Sequence, residues 1–82
     1  MINEKIQNMW SVIHFIRKAI DGESGALLTA LRIFSEEDVK FNVRAMNELE
    51  NLKTKASNMG LDPIVTTVDE IIVASNQEVA YW

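Results

Sequence analysis

The chain has no cysteine, one proline, three glycines and one histidine among its 82 residues. Without cysteine there is neither a disulfide nor a thiolate metal site, so nothing covalent staples the fold. No Pro-, Gly- or Ser-rich stretch reads as a linker or a low-complexity segment. No run approaches the roughly 18 apolar residues of a membrane span. The densest apolar stretch, Ile64 to Ser75, is interrupted by Asp69 and Glu70. The opening residues include Glu4 and Lys5, and their apolar positions are periodic rather than continuous, unlike a signal peptide. The expectation is a cytoplasmic protein with no direct membrane insertion. Positive charge is also scarce: eight Lys and Arg stand against twelve Asp and Glu, a net charge of -4. That sign disfavours nucleic acid, whose binding rests on neutralising phosphates. A local basic face would need Arg17 and Lys18 to meet Arg44.

What the chain does have is a stripe. Ile2, Ile6, Met9, Ile13, Ile16 and Ile20 recur at alternating spacings of four and three residues. Residues so spaced lie over one another on an α-helix, and such a stripe must be buried. As heptads they occupy the a and d seam of a helix pair. The spacing predicts a first helix over 3–20, with Asn3 as its cap and Arg17 and Lys18 suiting its negative end. Asp21-Gly22-Glu23-Ser24-Gly25 reads as a turn. A short second helix is expected over 26–34, with Leu27, Leu28, Leu31 and Phe34 on its apolar face. Ser35-Glu36-Glu37-Asp38 resembles the start of a third helix running to about Asn58. Val39, Val43, Met46, Leu49, Leu52, Ala56 and Met59 would form its buried side. Gly60 ends it, with Leu61 placed for the apolar contact of a Schellman motif. Asp62-Pro63 opens a fourth helix, with Ile64, Val68, Ile71 and Ile72 as its stripe. The β-branched run from Ile64 to Val68 would also suit a strand, but no partner strand is visible. The expected architecture is all-α: one domain over 1–82, a compact antiparallel bundle of about four helices with the second short.

Catalytic chemistry finds little support. His14 lies off the Ile stripe, with no carboxylate or nucleophile placed beside it by sequence. Glu36/Glu37 and Asp69/Glu70 are adjacent pairs, which diverge on a helix and do not form one site. The turn at 21–25 lacks the Gly-Lys-Ser/Thr ending of a phosphate loop, and its two acids repel phosphate. No enzyme activity, metal or cofactor is expected. The aromatics Trp10, Phe15, Tyr81 and Trp82 carry more. Trp10 and Phe15 lie on the flank and outer side of the stripe, so helix 1 is apolar over much of its circumference. Two readings stay open: a core wrapped around helix 1 by helices 3 and 4, or a protein interface with Ile6, Trp10, Ile13, Phe15 and Trp82 as its contacts. A face this wide in so small a chain also leads to the expectation of a homo-oligomer.

The 82-residue size, the cysteine-free acidic composition and the Met1-Ile2-Asn3-Glu4-Lys5 opening into a helix resemble a phage family. These are the small cytoplasmic lysis-inhibition accessory proteins of T-even bacteriophages, of the third rapid-lysis type. The resemblance covers the chain as a whole and carries no residue motif. It implies an antiholin-type role: binding the cytoplasmic part of the phage holin and delaying its assembly into membrane holes. A chain without catalytic chemistry fits that role, because preferential binding alone holds a target in its inhibited state. The alternative expectation is a phage-type inhibitor of a host enzyme or defence system, whose acids, Glu36, Glu37 and Asp38 among them, mask a basic surface.

Overall fold

Helix α1 runs Glu4–Ile20, α2 Ala26–Glu36, α3 Val43–Asn58 and α4 Asp62–Ser75. The computed structural model describes residues 4–81, the side chain of Lys5 apart. Ile2, Asn3 as a cap and Trp82 therefore lie outside the described residues. The all-α expectation holds, with α2 the shortest helix at 11 residues. The β-branched start of α4 is helical, following Pro63 in its first turn, although Leu61 rather than Asp62 is its N-cap.

The turns after α1 and α3 are as the sequence indicates. At the end of α1, Glu23 N–H reaches the Lys18 carbonyl at 2.9 Å and Gly22 N–H reaches Ala19 at 3.0 Å. This paired pattern is a Schellman motif, and Gly22 supplies the left-handed residue it needs with φ 95°. The end of α3 repeats it: Leu61 N–H bonds Ala56 at 2.9 Å and Gly60 N–H bonds Ser57 at 3.0 Å. Both turns fold consecutive helices back on each other, so α1 packs on α2 and α3 packs on α4. Helix α1 also touches α3 and α4, which joins the two pairs.

That central position accounts for the wide apolar face of α1. Met9, Val12, Ile13, Ile16 and Ile20 are buried, and Ile6, Trp10, Phe15 and Ala19 are half-buried against the same core. The wrapping differs from expectation in one respect. Helix α2 is the main cover of α1, ahead of α3 and α4. It approaches through Ala26 and Ala30, small residues that let backbones come close, while Leu28 points outward.

The largest correction falls on the start of α3. Ser35 and Glu36 belong to the end of α2, and α3 begins at Val43. Asp38 turns the chain with φ 48°. Residues 39–41 then run without helical structure. Asn42 caps α3, its side-chain carbonyl accepting from Ala45 N–H at 2.9 Å. Val39 and Phe41 are both buried in this connection, and the Phe41 ring lies 5.9 Å from that of Phe34. Val43 and Met59, expected on the buried side of α3, are more than half exposed, and Ala45 takes a buried place instead. Asp38 is a non-glycine residue in left-handed backbone, and its negative charge sits at the wrong end of the α2 dipole. Replacing Asp38 by Gly is expected to stabilise the fold by about 0.5–1 kcal/mol, read from the midpoint of urea denaturation. A lower midpoint would contradict this account of the turn.

Candidate protein-binding groove

Ile6 and Trp10 are one helical turn apart, so their side chains share one surface of α1. Two other segments meet that surface. One is the start of α3, with Asn42, Val43 and Arg44; the other is Ala80 and Tyr81, beyond the end of α4. Together they line an open groove of about 580 Å³. Tyr81 is 91% exposed at its edge, and Val43 is 56% exposed. Arg44 is exposed and forms no ion pair among the described residues.

The groove exists because both flanking segments are held in place. Asn42 donates its N–H to the Met9 thioether at 3.4 Å, tying the α3 cap to α1. Ala80 N–H donates to the Phe41 carbonyl at 2.9 Å, which pairs residues 80 and 42 in a single parallel bridge. Beside it, Lys40 Nζ lies 2.9 Å from Glu78 Oε2. The Glu78 carboxylate raises the Lys40 pKa by hydrogen bond and charge, and Lys40 lowers that of Glu78 in turn.

The residues singled out from sequence fall in different places. Ile6 and Trp10 line the groove. Ile13 is wholly inside the chain's own core, so its contribution is to the fold and not to an exposed surface. Phe15 packs half-buried against the core, its ring edge-on to His14 at 5.2 Å and away from the groove. Trp82 lies outside the described residues. Val43, Arg44 and Ala80 were not apparent as groove residues from sequence. The available signal was Asn42, an N-cap residue directly before Val43-Arg44.

Elsewhere two ion pairs link helices across the surface. Arg17 binds Glu48 at 3.0 Å, linking α1 to α3, and Lys53 binds Asp69 at 2.7 Å, linking α3 to α4. The Asp69 hydrogen bond raises the pKa of Lys53. Arg17 and Arg44 line separate depressions, so they do not combine in one basic face. His14 is exposed, as are Glu36, Glu37 and Asp38. Among the described residues, no three His, Cys, Asp or Glu side chains are arranged to hold a metal ion. None of the described helices is long and apolar enough to cross a membrane. A second cleft, of about 410 Å³, lies between Phe34, Asp38, Lys40, Ser75 and Glu78. The Ser75 hydroxyl is buried there with no hydrogen-bond partner. Comparison of the chain with protein-family models, with curated proteins and with solved structures finds no match.

Proposed function

We propose that this protein is a non-enzymatic regulator that acts by holding a protein partner in the Trp10–Tyr81 groove. The observation that carries the reading is the groove itself. It places a tryptophan, a tyrosine and three aliphatic side chains around an open concavity that is also lined by Arg44, which forms no ion pair among the described residues. Aromatic and arginine side chains are the common anchors of protein interfaces. The occupant that fits is an apolar segment carrying a carboxylate opposite Arg44, of the helix-in-groove kind.

The sharp form of the proposal is lysis inhibition. A cytoplasmic antiholin-type accessory, of the rIII kind that the chain resembles, binds the cytoplasmic part of the phage holin and delays its assembly. Tagged protein should retain the holin or another lysis regulator from phage-infected cells, identified by mass spectrometry. Tyr81→Ala, at a side chain that makes little contact with its own fold, should leave melting unchanged and weaken retention at least about ten-fold. Retention unaffected by Tyr81→Ala would remove the groove from the mechanism, and absence of any lysis protein would remove lysis inhibition. Self-association is read from the same preparation by light scattering. The wide face of α1 is largely covered from within, so a second copy would not pack on it.

The alternative is an inhibitor of a host enzyme or defence system. It is favoured by one observation: Glu36, Glu37 and Asp38 are consecutive and all exposed where α2 ends. Recovery of a host enzyme that is lost on charge reversal of these three residues would establish this reading in place of the first.

A further inference from the structure

Beyond Ser75 the chain lies between two depressions, the groove on one side and the Ser75 cleft on the other. Asn76, Gln77, Glu78 and Tyr81 are exposed, and only Val79 and Ala80 are half-buried. Two contacts fasten this strap across the chain. They are the Ala80–Phe41 backbone hydrogen bond at 2.9 Å and the Lys40–Glu78 ion pair at 2.9 Å. Both converge on Lys40 and Phe41, directly before Asn42, the N-cap of α3.

We propose that residues 76–81 form a latch, which opens as a unit while the helices stay folded and takes one wall of the Trp10 groove with it. A segment with few buried apolar contacts and exposed polar attachments belongs to the low-stability end of a structure, where opening is local. When the latch is closed, Ala80 and Tyr81 complete the groove. When it is open, Ile6 and Trp10 lose the opposite wall. A partner seated against Tyr81 therefore favours the closed form, and loss of the ion pair weakens the partner by linkage. That last consequence rests on the groove reading; the latch itself does not.

The test is amide hydrogen exchange of the full chain by NMR, with no partner present. The Ala80 amide is expected to be protected, yet to exchange faster than the amide of Leu49 in the core of α3. Glu78→Gln should speed Ala80 exchange about two- to five-fold, the range of an exposed ion pair, and leave Leu49 unchanged. The reciprocal swap, Lys40→Glu with Glu78→Lys, should restore most of the original rate. Ala80 exchanging at the Leu49 rate would show that it opens only with global unfolding, and would overturn the latch. An unprotected Ala80 amide, or one insensitive to Glu78→Gln, would overturn it equally. Failure here leaves partner capture by the groove standing, and failure of partner capture leaves these exchange rates standing.

Discussion

Ile13→Asp is expected to abolish the fold at neutral pH. Ile13 is 0% exposed, with Met9 and Ile16 equally buried on either side of it along α1. Truncating the side chain forfeits about 1.5–3 kcal/mol of apolar burial. The carboxylate adds a penalty of several kcal/mol if it stays in place, because Ile13 lies in a cluster of buried apolar side chains. The total rivals the roughly 4–12 kcal/mol that a domain of this size has in all. Far-ultraviolet circular dichroism should show loss of helix and no cooperative melt. Ile13→Val, which keeps the apolar chemistry, should cost only about 0.5–1.5 kcal/mol and retain the melt. The pair of variants separates the two roles open to an apolar stripe. A partner-facing stripe would tolerate Ile13→Asp in the free protein, and an unchanged melting temperature would show that the core description is wrong. Tyr81→Ala is the complement, silent in melting and costly in binding.

Much of this fold was legible because its signals were local and mutually consistent. The stripe of α1 agrees with the Schellman glycine at Gly22. In α4, Pro63 in the first turn agrees with the later burial of Ile64, Val68, Ile71 and Ile72. The start of α3 failed for a physical reason. Two N-cap residues, Ser35 and Asn42, compete seven positions apart, and Val39, Val43 and Met46 keep helical spacing through both. Local propensity cannot choose between them. Burial chooses: Val39 and Phe41 are both buried, with Lys40 between them in an ion pair. Two positions apart on a helix point about 200° from each other, whereas on extended chain they share one side. Val39-Lys40-Phe41 is thus an apolar–polar–apolar pattern that suits extended backbone. The groove was half legible for the same reason. Ile6 and Trp10 follow from one helix, but Val43 and Tyr81 face them only after this turn and the strap are in place.

Phe41→Ala is the prediction that tests that account most severely. A residue between helices is ordinarily a surface residue whose truncation changes little. Phe41 is instead 0% exposed, in ring contact with Phe34, and its carbonyl holds the strap through Ala80. Removing the ring should cost about 3–5 kcal/mol, which lowers the melting temperature by more than about 15 °C in a domain this small. Val43→Ala, two residues further on in the unbroken helix that the spacing suggested, exposes the contrast. In that helix Val43 would be a core position and its truncation expensive. With Val43 more than half exposed, the change should stay within about 0.5 kcal/mol. A large loss at Val43 with a small one at Phe41 would restore the continuous helix and remove the extended turn. The opposite order would place the anchor of the core in the connection. Its position there makes the same ring support both the packing of α2 and the strap that walls the groove.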